Sequence, residues 1–278
     1  MPSERTGRNK MRNIRLVISY DGTDFNGWQV QPNAPTIQGT IAEAIRVLTG
    51  EKVILCGSGR TDAGVHALNQ VANFETNSGI PCENLLKALN NLLPPTIRIK
   101  EASQVPSSFH ARHAARSKTY RYRILQTPVC SPFLARFVCH YPYPLDHVRM
   151  AKAAEYFAGQ HNFASFAGAG GPAAEAGRCD FQKQRGQENG VPTGGRRMVR
   201  TIFTSRVLWR PRSSMLIYEV RGSGFLHHMV RNMVGTLIEV GRGRLEPGDV
   251  PKIMAACDRA LAGPTAPASG LFLVKVEY

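Results

Sequence analysis

The sequence has no stretch near the roughly 20 consecutive apolar residues that a membrane-spanning helix requires. Its first segment, MPSERTGRNKMRNIR, is basic but lacks the apolar run of a signal peptide, so we expect a cytoplasmic protein that does not engage a membrane. None of its 6 cysteines forms a C-x-x-C pair. This scatter argues against a structural zinc site and against a disulfide framework.

Acidic residues are scarce, with 20 Asp and Glu against 35 Lys and Arg, and the formal net charge is +15. Such an excess of positive charge favours a polyanionic partner, with nucleic acid as the first choice and a membrane surface as the second. At 278 residues the chain is long enough for one large domain or for two of roughly 140 residues, either of which would bury a core.

Strand and helix patterns alternate along the chain, and a similar order begins again after about residue 115. Strands are predicted at 14–20, 52–56, 69–75, 96–102, 118–126, 199–210, 214–222 and 271–278, and helices at 36–50, 82–93, 146–158, 227–241 and 249–262. We therefore predict an α+β fold with an N-terminal half, 1–114, and a C-terminal half, 115–278. The segment 167–198 is rich in Gly and charge without periodicity, which predicts a long mobile surface loop.

The segment GSGRTDAGVH, residues 57–66, is a glycine-rich loop that contains the carboxylate of Asp62. Asp62 lies two positions after Arg60. A phosphate-binding loop is excluded because Val65-His66 stands where Lys-Ser/Thr is required. An aspartic protease would need a second Asp-Thr/Ser-Gly loop, and the surroundings do not match a calcium loop. A simple turn, in which Asp62 bonds the backbone, is the structural alternative to a catalytic carboxylate.

Two aromatic residues, Tyr120 and Tyr122, lie on one face of a predicted strand, and Arg121 and Arg123 lie on the other. RNA-binding surfaces combine rings that stack on bases with guanidinium groups that pair with phosphates. A half-buried strand whose tyrosines only pack is the alternative.

The predicted helix from residue 227 carries a core-facing apolar stripe and begins with His227 and His228. No third metal ligand follows at helical spacing, so we expect no zinc there. Arg231 lies about 100° around the helix from Val230, at the border of the stripe. That position suits a side chain that reaches into a cleft, and an ordinary solvated arginine is the alternative.

The segment GRTDAGVHA, followed by FET, resembles the active-site region of the TruA-type tRNA pseudouridine synthases. Further segments resemble this family in the same order: YDGTDFNGWQVQP, FHARHAARSKTYRYRI, FLHHMVRNMVGTLIEVG and ASGLFLVKVEY. The resemblance implies isomerisation of uridine to pseudouridine at positions 38 to 40 of the tRNA anticodon arm, without a metal or organic cofactor. It also implies two ferredoxin-like halves that share one mainly antiparallel sheet flanked by helices, a cleft between them, and a homodimer. The loop at 167–198 is longer and richer in glycine than the family pattern.

The resemblance also assigns roles to five residues. Asp62 would be the catalytic carboxylate, and Arg231 would keep it ionised by favouring its charged form. Arg60 would help to displace the target base, Tyr120 would stack on the uracil, and Leu271 would lie against the flipped base. On sequence alone, Arg60 is equally well interpreted as a phosphate contact and Leu271 as plain core.

Two other functions share some of these features. A noncatalytic RNA-binding protein would need the charge and the tyrosine face but not Asp62. A DNA-binding structural protein is less favoured, because no recognition-helix motif is present. We therefore expect tRNA, and not DNA, as the partner.

Overall fold

The computed structural model describes residues 11–168 and 198–278. The strands are β1 (Arg12–Tyr20), β2 (Cys56–Gly57), β3 (His66–Thr76), β4 (Ile97–Val105), β5 (Ser117–Leu125), β6 (Cys139–His140), β7 (Gly159–Asn162), β8 (Val199–Arg210), β9 (Met215–Gly222) and β10 (Leu271–Glu277). The helices are α1 (Ile37–Thr49), α2 (Cys82–Leu92), α3 (Pro132–Ala135), α4 (His147–Glu155), α5 (Met229–Gly241) and α6 (Asp249–Ala256).

The strands form one sheet, in the order β4-β1-β3-β10-β5-β9-β8-β7, with β2 beside β3 and β6 beside β5. The β10–β3 and β5–β6 pairs are parallel, whereas the other neighbours in the described chain are antiparallel. The C-terminal strand β10 therefore joins β3 of the predicted N-terminal half to β5 of the predicted C-terminal half. The predicted α+β fold with one mainly antiparallel sheet and flanking helices is confirmed.

Helix α1 shows how local sequence sets the elements. The hydroxyl of Thr36 accepts a hydrogen bond from the Gly39 amide, which caps the first turn. Gly50 ends the helix in the left-handed conformation, with φ 73°. Between these caps, Ile37, Ile41 and Ile45 return to one face at helical spacing and are fully buried.

Helix α5 is the most deeply buried helix of the second half, with almost every side chain enclosed. At Gly235 a Cβ atom would lie 1.6 Å from the carbonyl oxygen of Pro264. Only glycine permits this close approach of two backbones. The segment around Pro264 therefore crosses directly over α5, close to Arg231.

Several predicted elements differ from the structure, and three of the differences have a clear physical reason. Residues 52–55 are unpaired, because the carbonyl oxygen of Leu55 accepts instead from the Gln38 side chain. Helix α5 begins at residue 229, since His228 has φ 59°. Helix α6 ends at residue 256, where Cys257 turns left-handed with φ 52°.

The predicted mobile loop, 167–198, lies outside the described residues except for its first two positions and its last. The division into halves at 114/115 stays a prediction. None of the helices in the described ranges has both the length and the apolarity needed to cross a bilayer.

Candidate active site

A cavity of about 900 Å³ opens between segments of the two predicted halves. Its lining includes all five of the residues predicted for the site: Arg60, Asp62, Tyr120, Arg231 and Leu271. They come from one loop, from β5, from α5 and from the start of β10. The fold therefore brings together side chains that are far apart in the sequence.

The loop that carries Asp62 is stabilised by a backbone hydrogen bond within it and by a buried hydroxyl contact of Thr61. The backbone amide of Val65 donates to the carbonyl oxygen of Asp62 at 3.1 Å, which closes a turn, and Gly64 has φ 76°. The hydroxyls of Tyr20 and Thr61 lie 2.9 Å apart in the core beneath the loop. The loop therefore contains a turn, as the alternative to a catalytic role predicted, but backbone atoms close it. The carboxylate of Asp62 is left for other contacts.

The carboxylate of Asp62 faces helix α5. Arg231 Nη1 donates to Asp62 Oδ2 at 3.1 Å, and Arg231 Nε donates to the carbonyl oxygen of Ala266 at 2.8 Å. The side chains of Asp62 and Arg231 are 20% and 16% exposed, so water screens the pair only partly. The guanidinium is oriented by the backbone that crosses α5 and in turn orients the carboxylate of Asp62.

Two histidines that precede α5 also face this carboxylate. His227 Nε2 lies 3.7 Å from Asp62 Oδ1, and His228 Nε2 lies 3.6 Å from Asp62 Oδ2. The two imidazole rings are stacked, with centroids 3.7 Å apart. Burial lowers the pKa of His228, and Asp62 opposes that shift.

A third potential metal ligand does lie beside His227 and His228, although it does not follow them at helical spacing. Asp62 supplies the third group from a different segment, and the three ligand atoms lie within 4.8 Å of one another. Among the described residues, these three could hold a metal ion.

Tyr120 forms part of the cavity wall and is 7% exposed. The ring of Phe225 meets it edge to face, with centroids 5.0 Å apart, which holds the tyrosine ring in place. Burial raises the pKa of Tyr120, and the nearby Asp62 adds to the effect. The phenol therefore stays protonated at neutral pH.

The other residues of this strand have structural contacts. Tyr122 is fully buried and donates to the carbonyl oxygen of Pro267 at 2.7 Å, as its packing interpretation requires. Arg121 pairs with Glu219 at 2.8 Å, and Arg123 lies over the ring of Phe272. The two arginines on the second face of β5 thus pack within the sheet, which weakens their interpretation as phosphate contacts.

Arg60 is exposed at the cavity and is oriented by a chain of two amides. Its Nε donates to Gln29 Oε1 at 3.2 Å, and Gln29 Nε2 donates to Gln38 Oε1 at 2.7 Å. The Gln38 amide is itself fixed by two backbone groups, the amide of Val30 and the carbonyl of Leu55. These two glutamines were not predicted from the sequence as site residues.

Leu271 begins β10 and is 5% exposed at the cavity wall. A Cβ atom on the preceding Gly270 would lie 2.7 Å from the ring of Tyr122, so glycine allows the chain to pass close to β5. The core interpretation of Leu271 and a contact with a bound base are therefore compatible.

The cavity is electropositive. Its lining includes Arg60, Arg112, Lys118, Arg200 and Arg231, and Asp62 is the only acidic side chain among the described residues there. A polyanion would meet complementary charge at this surface, with the carboxylate of Asp62 among the basic groups. Arg112, Lys118 and Arg200 were missed in the sequence because isolated basic residues have no distinctive spacing.

Comparison with known proteins agrees with the geometry. A family described as tRNA pseudouridine synthase matches residues 16–113 and 153–278. The chain is 49% identical over 268 residues to tRNA pseudouridine synthase A of Solibacter usitatus, covering 96% of this chain and 100% of that protein. It is 45% identical over 268 residues to the protein of the same name from Acetivibrio thermocellus, with the same coverage.

The fold is α+β, and the family match identifies the protein as an isomerase that acts on tRNA. The chain belongs to the tRNA pseudouridine synthase family.

Proposed function

We propose that this protein converts uridine to pseudouridine at positions 38 to 40 of the tRNA anticodon arm, with Asp62 as the catalytic residue. The observation that supports this most strongly is the single carboxylate of Asp62, which is held by Arg231 in a basic cavity beside Tyr120. The family match supports the reaction class and the tRNA substrate.

The reaction breaks the C1'–N1 glycosidic bond, turns the detached uracil and joins C5 to C1'. N1 ends with a proton and C5 loses one, so there is no net redox change or hydrolysis. One carboxylate suffices for this sequence, because it can act as nucleophile or as base toward the sugar-base unit. The guanidinium of Arg231, 3.1 Å away, donates a charge-assisted hydrogen bond to Asp62 Oδ2 and orients the carboxylate for either role.

The target uridine must leave the helical stack before Asp62 can approach its glycosidic bond, which costs a few kcal/mol. Tyr120 provides a ring for the base to stack on, and Leu271 provides an apolar contact beside it. The oriented guanidinium of Arg60 stands at the exposed side of the cavity and helps to displace the base from its partner. The remaining basic lining binds phosphates.

The family resemblance further favours a homodimer in the cytoplasm that uses tRNA, not DNA, as its substrate and requires no metal or organic cofactor. We propose the division into halves at 114/115 on the same basis. Each of these assignments can be wrong without changing the role proposed for Asp62.

Incubation with an unmodified tRNA transcript that carries uridines at 38, 39 and 40, followed by base-specific mapping of pseudouridine, tests the function. We expect modification at those positions and none in a transcript with cytidines there. Tight tRNA binding without any product would favour a noncatalytic RNA-binding protein. Preference for duplex DNA over tRNA in a binding competition would favour a DNA-binding protein.

A further inference from the structure

The side chains of Asp62, His227 and His228 meet on one side of the cavity, although the loop and the turn before α5 are far apart in the chain. The distances from Asp62 to the two histidine Nε2 atoms are 3.7 and 3.6 Å. Zinc bonds of about 2.0–2.2 Å in tetrahedral geometry place two ligand atoms about 3.4 Å apart. All three ligand atoms lie within 4.8 Å of one another, so rotations of the two imidazoles and the carboxylate would have to bring them to coordination distance.

The backbone near the histidines preorganises this arrangement. The amide of Gly168 donates to the carbonyl oxygen of His227 at 2.9 Å. A Cβ at Gly168 would lie 2.7 Å from His228 Nδ1 and 3.0 Å from His227 Nδ1. The Nδ1 edges of both rings thus pack against a glycine backbone, and the Nε2 edges face Asp62.

We infer that Asp62, His227 and His228 form a binding site for a borderline transition-metal ion such as Zn²⁺, and that the bound ion inhibits the isomerase. Two imidazoles and one carboxylate with an open fourth position are a donor set that such ions take in proteins. Inhibition rests on the proposed function, because the ion would occupy the carboxylate that acts on the substrate.

Two features keep the affinity moderate. The guanidinium of Arg231 lies beside Asp62 Oδ2, and the chain carries a net charge of +15, so both oppose a dication. Hard cations such as Mg²⁺ prefer oxygen ligands and would gain little from two imidazoles. We therefore expect Zn²⁺ to bind with a Kd on the order of 1–100 µM, and Mg²⁺ to have no effect at this site.

Calorimetric titration of the full-length protein with Zn²⁺, in the absence of RNA, tests the site. We expect His227→Asn, His228→Asn and Asp62→Asn each to weaken Zn²⁺ binding by at least about tenfold, since each removes one of three ligands. Asparagine suits position 228, where φ is 59°. The matched control is His161→Asn, on β7 outside the cavity, which should bind Zn²⁺ as the unaltered protein does.

Absorbance of the Co²⁺-loaded protein gives a second readout, with the visible bands of a tetrahedral nitrogen-oxygen site expected in the unaltered protein and the His161→Asn control only. Circular dichroism shows which variants are folded. A single folded variant among the three is enough to compare its Zn²⁺ binding with that of the unaltered protein. No saturable binding below 1 mM Zn²⁺, or equal binding by the unaltered protein and a folded ligand variant, would overturn the site.

The isomerase assay then separates the two hypotheses. We expect Zn²⁺ to reduce pseudouridine formation at concentrations near its Kd and EDTA to restore it. Binding without inhibition would overturn the inhibitory role alone. A protein that binds Zn²⁺ but forms no pseudouridine in metal-free buffer would contradict the proposed function and leave the metal site intact.

Discussion

The guanidinium of Arg231 lies 3.1 Å from the carboxylate of Asp62, and 169 positions of sequence separate the two residues. This ion pair connects the glycine-rich loop of the predicted N-terminal half to α5 of the predicted C-terminal half. It therefore couples the position of the proposed catalytic carboxylate to the packing of α5.

We expect Asp62→Asn to lower the single-turnover rate of pseudouridine formation by more than about 10³-fold, because the amide is neither nucleophile nor base. Its affinity for tRNA should persist or increase slightly, since a negative charge near phosphates is removed. Rate and binding are measured on the same preparation, with Asp249→Asn on α6 as the control. Substantial turnover by Asp62→Asn would eliminate it as the catalytic residue.

Arg231→Lys retains the charge but cannot contact Asp62 and the Ala266 carbonyl with the same planar fork. The loss of a charge-assisted hydrogen bond costs about 1.5–3 kcal/mol, which predicts a rate about 10- to 150-fold lower. The affinity for tRNA should change little. A rate equal to that of the unaltered enzyme would show that the charge alone matters.

Substitutions of Tyr120 separate stacking from the hydroxyl. Tyr120→Phe keeps the ring and its edge contact with Phe225, and should preserve tRNA affinity. Tyr120→Leu removes a stacking contact of roughly 1–3 kcal/mol and should weaken both capture and turnover by about 5- to 150-fold. Binding constants and single-turnover rates of the two variants decide this. Equal tRNA affinities and equal rates for Tyr120→Phe and Tyr120→Leu would show that Tyr120 only packs in the wall of the cavity.

The basic cavity predicts a steep dependence of tRNA binding on salt. Contact with roughly six phosphates lowers affinity on the order of a thousandfold between 50 and 200 mM salt. Binding isotherms at four salt concentrations give the slope, and Arg112→Gln should reduce it by about one. Lys252→Gln on the exposed face of α6 is the control. A shallow slope would mean that the net charge serves solubility.

Four buried tyrosines predict a limit to stability at high pH. Burial raises the pKa of Tyr20, Tyr120, Tyr122 and Tyr218 above the ordinary value of about 10. The folded state therefore holds these protons more tightly than the unfolded state. This contribution to stability is fully present below about pH 10 and is lost as the pH rises above it.

Absorbance at 295 nm and far-ultraviolet circular dichroism, followed together from pH 9 to 12, measure this loss. We expect part of the phenolate signal to appear only with the loss of ellipticity. Tyr218→Phe should move that transition to higher pH, unless the loss of its contact with Ser205 dominates the stability at neutral pH. Complete ionisation before any loss of ellipticity would contradict the burial argument.

Much of the fold was predictable because its determinants are local. Periodicity located α1 at residues 36–50, and its observed ends at Thr36 and Gly50 are set by capping, which depends on neighbouring residues. The predicted strand 52–56 was wrong because strand formation requires a partner, and the Leu55 carbonyl is bonded by a helix side chain. The end of α6 was missed because Cys257 adopts a left-handed conformation that its side chain does not favour.

The sequence by itself determined the positive charge, the α+β order, the glycine-rich Asp62 loop and, through the family motifs, the five candidate site residues. Only the tertiary structure decided that the imidazoles of His227 and His228 face Asp62, that Phe225 holds Tyr120, and that Gln29 and Gln38 orient Arg60. These contacts join segments whose separation along the chain carries no periodic pattern. The contacts of Asp62 and Tyr120 exist because β10 inserts between β3 and β5 and the chain crosses α5 at Gly235, which brings side chains that are distant in the sequence close together.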